Sequence, residues 1–238
     1  MKTFLPWLGV FETLRVEAGR PLLLEEHLAS LREAAEAVGL VLPAEFRDNL
    51  HEKASRLPGD TGRWRWIVDS EGGRALFTHE PGSPLEHFRV RIAPERVGSM
   101  NWDARYKTLS YLTHWQARKS AEAAGHDEGL LLNENGYLAS GAMTNLFWVR
   151  KGQIHTPALD CGCRNGAVRR WIFAQFSGKP GKIVEGYFPP SVLEEAEEIF
   201  LTNSWIGIRP VIRLDGWEIS PGPVTRKLAG QYRADLKI

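Results

Sequence analysis

The chain has 238 residues, 43% hydrophobic and 25% charged, with a formal net charge of +1. That is ordinary for a folded protein long enough to bury a core. Its interspersed charges exclude the basic clustering of a nucleic-acid or membrane-surface binder, and its apolar runs are too short to cross a bilayer.

The first residues, Met1 to Trp7, lack the apolar run and cleavage site of a signal peptide. Two cysteines, Cys161 and Cys163, are too few for a disulfide framework, so reduced thiols in a cytoplasmic protein are expected. Gly9 to Val16 (GVFETLRV) reads as a strand that turns at Ala18-Gly19-Arg20 into a short strand around Leu22 to Leu24. From Glu26 the apolar residues Leu28, Leu31, Ala34, Ala35 and Val38 recur at helical spacing, and Gly39 stops the helix. A second helix is expected after Pro43, burying Phe46, Leu50 and Leu57. Arg63 to Asp69 and Arg74 to Thr78 flank Glu71-Gly72-Gly73 as a hairpin, with Trp64 and Trp66 read as core.

Glu80 to Pro84, rich in proline and glycine, marks a boundary. The expected division is a small domain over 1–82, a linker over 83–87, and a larger domain over 88–238 that carries the reactive lysine described below. Beyond the boundary come a strand at Phe88 to Ala93, a helix from Tyr111 to Ala124, and strands at Glu128 to Leu132 and Leu146 to Arg150. A helix from Asn165-Gly166 to Phe176 follows, then a strand at Ile183 to Glu185 and a short helix at Pro190 to Ala196. Strands at Ile199 to Thr202 and Ile208 to Leu214 complete an α+β chain in two parts.

The seven histidines have no metal-ligand spacing, and no metal site is expected. Gly-x-Ser-x-Gly, a Walker lysine and GxGxxG are all absent. The informative feature is a series of ordered strings. Arg105-Tyr106-Lys107-Thr108-Leu109-Ser110-Tyr111-Leu112 is followed by His126-Asp127-Glu128-Gly129-Leu130-Leu131-Leu132-Asn133 and Met143-Thr144-Asn145-Leu146-Phe147-Trp148. Then come Thr156-Pro157-Ala158-Leu159-Asp160, Asn165-Gly166-Ala167-Val168-Arg169 and Ile199-Phe200-Leu201-Thr202-Asn203-Ser204. Upstream stand Phe11-Glu12-Thr13-Leu14-Arg15 and His27-Leu28.

In this order the strings resemble the class IV aminotransferases, the fold-type IV pyridoxal 5'-phosphate (PLP) enzymes, from about Gly9 to Leu214. That family includes branched-chain and D-amino-acid aminotransferases and aminodeoxychorismate lyase. The resemblance implies a D-amino-acid-aminotransferase-like fold, with a small α/β domain and a larger β-rich one. It also implies a homodimer acting on a small amino substrate. Phe147-Trp148, Thr-Pro-x-Leu-Asp and Asn-Gly-x-x-Arg look most like the lyase branch, whereas Lys107 to Leu112 looks like the general aminotransferase string.

By the resemblance, Lys107 is the Schiff-base lysine, a role that needs one amine able to form an imine and shuttle a proton. The cofactor phosphate calls for free N–H groups at a helix start. Gly166, Ala167 and Val168 supply one such site, and Asn203, Ser204 and Trp205 a second. Tyr111 reads either as a partner of the cofactor's phenolic oxygen or as an ordinary helix aromatic. Phe11, Thr13 and Arg15 share one strand face at period two; in the family that face looks toward substrate. Arg15 is therefore either a carboxylate anchor or a solvated arginine.

Two positions depart from the family. Ser30 stands where members carry a phosphate-binding arginine, a charge-assisted contact worth ~1.5–3 kcal/mol; Arg32 lies two residues on, ~200° around the helix. Ser140 stands where members carry the glutamate that pairs with the pyridine nitrogen, five residues before Asn145. A carboxylate there keeps the ring protonated and a strong electron sink, whereas a hydroxyl leaves it unprotonated. Only ten residues precede Phe11, so the family's usual leading strand and the loop before it are expected to be mostly missing, either as in a compact subfamily or with part of the site gone. Three readings follow: a lyase forming p-aminobenzoate and pyruvate in folate biosynthesis, a branched-chain or D-amino-acid aminotransferase, and a degenerate member that binds a small molecule without turnover. Ser140 tilts the balance to the lyase, because aromatisation asks less of the ring.

Overall fold

The computed structural model describes residues 8–42, 46, 52–54, 57, 61–79, 84–178 and 181–238. Of the second helix expected after Pro43, only Phe46, residues 52–54 and Leu57 are described, and Pro43 and Leu50 lie outside. The expected linker falls partly outside as well. Contacts divide the chain into two units: Met1–Pro84 with Tyr106–Tyr111, and Leu85–Arg105 with Leu112–Ile238.

In the first unit, β1 (Gly9–Glu17), β2 (Arg20–Pro21), β3 (Gly62–Asp69) and β4 (Gly72–His79) form an antiparallel sheet of order β2-β1-β3-β4. Alternation places Val10, Leu14, Val16, Trp64, Trp66 and Val68 on one buried face. Helix α1 (Leu24–Ala37) covers that face with Leu28, Leu31, Ala34 and Ala35. The two tryptophans meet edge to face at 5.1 Å. The expected strand around Leu22 to Leu24 is instead the two-residue β2 followed directly by the helix. Leu23 adopts a left-handed backbone (φ 53°), which no strand tolerates. Gly39, at φ 73°, ends α1 as the sequence indicates, and the Leu40 N–H turns back to the Ala35 carbonyl at 2.8 Å.

The stretch Tyr106–Tyr111 lies beside β1. Phe11 N–H donates to Lys107 O and Leu109 N–H to Gly9 O, both at 2.8 Å, and Val10 bridges Thr108. This pairing covers the part of the β1 edge that the short β2 leaves open. Lys107 therefore packs with the N-terminal unit, whereas the division drawn from the sequence put it with the larger one. The pairing joins residues about a hundred positions apart, which local periodicity does not report.

The second unit holds β5 (Phe88–Val97), β6 (Glu128–Asn133), β7 (Leu138–Gly141), β8 (Asn145–Arg150), β9 (Gln153–Pro157), β10 (Ile183–Gly186), β11 (Glu198–Asn203), β12 (Gly207–Leu214) and β13 (Trp217–Glu218). They form one mixed sheet of order β10-β9-β8-β11-β12-β5-β6-β7, with β13 beside β12. Leu130, Leu132, Leu138, Leu146, Trp148, Ile199, Leu201 and Val211 build its main core. The helices are the short α2 (Trp102–Arg105), then α3 (Leu112–Ala123), α4 (Ala167–Gln175) and α5 (Pro223–Leu236). Helix α3 packs on β5 and β6, α4 on β11, and α5 on β11 and β12.

A buried carboxylate secures α5. Glu198 accepts the N–H groups of Val224 (2.9 Å) and Thr225 (2.7 Å) and the Thr225 hydroxyl (2.6 Å). It thereby satisfies the orphan donors of a helix that opens on Pro223. Among the described residues, no helix is long and apolar enough to cross a membrane. The fold is α+β, with sheets and helices in both units.

Candidate functional site

Glu12 breaks the pattern of its strand. It shares the apolar face of β1 with Val10 and Leu14, and its side chain is only 12% exposed. It is stable there because His27, buried on α1, donates its Nδ1–H to Glu12 Oε2 at 2.8 Å, and the Thr13 N–H donates at 3.2 Å. Lys107 Nζ lies 3.9 Å from the same oxygen and 5.3 Å from the centre of the Phe11 ring. Burial pushes the Glu12 carboxyl up. Lys107, then His27 through charge and hydrogen bond, and the Thr13 N–H outweigh burial and hold the carboxyl at about 2. The group is thus a fixed negative charge beside a half-buried lysine.

Tyr111 meets Phe11 edge to face at 5.6 Å. Phe11, Thr13 and Arg15 lie on the opposite face of β1, as alternation requires. The Arg15 guanidinium is engaged by Glu17, with Nε donating to Oε2 at 2.7 Å. A further cation, not singled out from the sequence, also stands near Phe11. Arg65 of β3 places its guanidinium 5.7 Å from the Phe11 ring, and its Nε donates to Thr13 Oγ1 at 3.3 Å. Its signal was the alternation Arg63-Trp64-Arg65-Trp66, in which burying both tryptophans turns both arginines to the open face. Glu12 and His27 were likewise readable only as parts of motifs, since nothing local pairs residues fifteen positions apart. Ser30 lies partly buried on α1, and Arg32 is exposed.

In the second unit, Ser140 sits on β7 opposite Leu131 and is buried. Helix α4 opens at Gly166 with no side-chain cap, and Ala167 and Val168, both buried, form its first turn. A Cβ at Gly166 would stand 2.5 Å from Asn145 Oδ1, so any larger residue there would displace the Asn145 side chain. Asn145 Nδ2 in turn donates to Arg164 O at 2.7 Å. Asn145 pairs in register with Thr202 of β11, the strand on which α4 packs, and the Thr202 hydroxyl is fully buried with no hydrogen-bond partner. Asn203 shapes the next turn. Its Oδ1 accepts the N–H groups of Trp205 (2.9 Å) and Ile206 (2.8 Å), and its Nδ2 donates to Met143 O at 3.1 Å. The Trp205 N–H is therefore already engaged.

The donor set can be set against PLP group by group. Lys107 supplies the amine. The uncapped start of α4, with the unpartnered Thr202 hydroxyl on the strand below it, suits a phosphate. Ser140 brings a buried hydroxyl, a neutral hydrogen-bonding group. Taken unit by unit, the first offers an amine and the second an anion-binding helix start, the two kinds of donor that a carbonyl and a phosphate call for.

Comparison with known proteins gives the same direction. The model of the family amino-transferase class IV matches residues 9–214. The aminodeoxychorismate lyase of Bacillus subtilis (strain 168) is 28% identical, over 98% of this chain and 87% of its own. The 4-amino-4-deoxychorismate lyase structure from Pseudomonas aeruginosa superposes with a TM-score of 0.84 at 30% identity, covering 97% of this chain and 92% of that one. A branched-chain aminotransferase from Thermoproteus uzoniensis superposes with a TM-score of 0.87 at 24% identity, covering 96% and 85%, a likeness of fold.

Proposed function

The chain belongs to the class IV aminotransferases, a PLP-dependent enzyme family, and we propose that within it the protein is an aminodeoxychorismate lyase, releasing p-aminobenzoate and pyruvate. The observation that carries this reading is Ser140. PLP, when bound, supplies an electron sink for charge at the substrate carbon next to the amine, and transamination leans on that sink fully. Formation of an aromatic ring drives proton loss by itself, so a neutral hydroxyl in place of a carboxylate costs the lyase reaction less. The two lyases among the relatives support the same choice.

On this reading Lys107 would hold the cofactor at its carbonyl and, once freed by the substrate's amine, its Nζ would move the proton at the substrate carbon that bears the amine. Glu12 holds the lysine in place and His27 holds Glu12. Gly166, Ala167 and Val168 direct the first turn of α4 at the phosphate, and Ser204, in the turn set by Asn203 and Trp205, adds a hydroxyl. Ser30 leaves that phosphate without the family's guanidinium. Tyr111 faces the phenolic oxygen. Phe11, Thr13 and Arg15 line the substrate face, and Arg65 joins them as the cation for a substrate carboxylate. The enzyme works in the cytoplasm, in folate biosynthesis, as a homodimer.

The test is p-aminobenzoate release from aminodeoxychorismate, run beside 2-oxo-acid release from a panel of L- and D-amino acids. Lyase turnover with little oxo acid supports the reading. Robust oxo-acid release instead makes the protein a branched-chain or D-amino-acid aminotransferase. Silence in both assays makes it a binding protein without turnover.

A further inference from the structure

A second buried acid lies outside the lysine cluster. Glu128 opens β6, is 3% exposed, and is followed by the apolar run Gly129-Leu130-Leu131-Leu132. Its Oε1 accepts the Gly129 N–H at 3.2 Å, and both its oxygens accept the Met143 N–H at 3.3 Å. Burial lifts its carboxyl to about 7 against the pull of Arg118 and the N–H groups of Gly129, Met143 and Ala142. Arg118 itself donates to Glu122 at 2.8 Å. A carboxylate in so apolar a place is costly, and such groups cluster where geometry matters to function.

Met143 lies in the connection between β7 and β8, directly after Ser140 and Gly141. Its N–H is held by Glu128, and its carbonyl accepts from Asn203 Nδ2 at 3.1 Å. Asn203 Oδ1 then fixes the N–H groups of Trp205 and Ile206. Two residues on, Asn145 Nδ2 fixes Arg164 O, just ahead of Gly166. One short loop is therefore hydrogen-bonded to both segments assigned to the phosphate, and on the β6 side it is anchored by Glu128 and by the Gly129 carbonyl, which accepts the Ala142 N–H at 2.8 Å.

We propose that Glu128 is a positioning residue for phosphate binding, setting the Ala142–Asn145 loop so that the Asn203–Ile206 turn and the start of α4 keep their spacing. The proposal rests on the phosphate assignment given under Proposed function. Glu128 touches neither cofactor nor substrate and acts through the Met143 peptide and Asn203.

Amide hydrogen exchange on the full chain without cofactor tests it, on the alkaline side of neutrality where the carboxylate is ionised. In Glu128→Ala the Trp205 and Ile206 amides should exchange about tenfold faster, equivalent to ~1.4 kcal/mol of local opening, while the amides pairing β8 with β9 do not change. Affinity for PLP should fall about tenfold while affinity for pyridoxal, which lacks the phosphate, holds. Glu128→Met, which keeps the length of the side chain and removes the acceptor for the Met143 N–H, takes the same measurements if the alanine variant does not fold. Unchanged exchange at Trp205 and Ile206, or a uniform rise across the sheet, overturns the proposal, as does equal loss of PLP and pyridoxal. If the unaltered protein binds PLP no better than pyridoxal, the phosphate assignment is what fails, and the positioning role fails with it. The exchange data then still decide whether Glu128 holds the turn.

Discussion

Glu12→Gln removes one charge from the cluster around Lys107 and leaves its shape. Glu12 is held at about 2 against an ordinary 4.5, which by linkage is about 3 kcal/mol of folding stability. The contacts that outweigh burial are individually of that order. An ion pair at 3.9 Å is worth about 4 kcal/mol at an effective dielectric constant of ~20. Lys107 is 26% exposed, so water screens the pair to about 1 kcal/mol. The hydrogen bond from His27 to a carboxylate adds about 1.5–3 kcal/mol. Because the folded-state carboxyl is depressed, this stability is present above about 4.5 and disappears as pH falls through about 2. The amide of Glu12→Gln still accepts from His27 but carries no charge. The variant should therefore be about 2–3 kcal/mol less stable at neutral pH, and the gap should narrow steadily below about pH 4.5. Urea unfolding of both proteins across that range measures it. Equal stability at neutral pH, or a gap that ignores pH, would refute the ionised cluster.

Borohydride reduction after PLP addition, followed by peptide mapping, should place the pyridoxyl group on Lys107, and finding it on another lysine sinks the assignment. Ser30→Arg should tighten PLP about tenfold by restoring ~1.4 kcal/mol of charge-assisted contact; an unchanged titration of a folded variant shows that another group already serves the phosphate. Glu128→Gln should flatten the stability profile between about 4.5 and about 7. The raised carboxyl stabilises the fold below that window and loses about 3 kcal/mol as pH climbs through it, so a parallel profile for the variant would remove the buried acid from the account. Ser140→Glu should raise 2-oxo-acid release from amino acids, since a carboxylate favours the protonated ring; strong oxo-acid release by the unaltered protein would contradict the electronic argument for Ser140.

The order of elements was legible where one residue type repeats at a clear period. Val10, Leu14 and Val16 on β1, and Leu28, Leu31, Ala34 and Ala35 on α1, bury the faces their spacing implies. The sequence reading stopped at Leu214 and missed α5. Its buried stripe is only Thr225, Leu228, Ala229 and Tyr232, and its start depends on Glu198, far back in the chain on β11. β7 was passed over because Leu138-Ala139-Ser140-Gly141 carries small residues and no alternation, being buried on both sides.

The site divides in the same way. Lys107 and Gly166 each lie within a string whose order points to them, and Ser140 is located by its spacing five residues before Asn145. What each string does to its neighbour was not readable. A carboxylate on an apolar strand face looks like an error until His27 and Lys107 are seen to share one of its oxygens. Glu128 likewise reads as one more strand residue until the Met143 peptide is seen resting on it. In both cases an acid is buried at a cost only its partners offset, and His27, Lys107 and Met143 among those partners lie fifteen or more residues away in sequence. Motif order can thus point to the group proposed to do the chemistry. The acids that hold such groups in place are found by asking why a charge is tolerated where the hydrophobic pattern calls for a leucine.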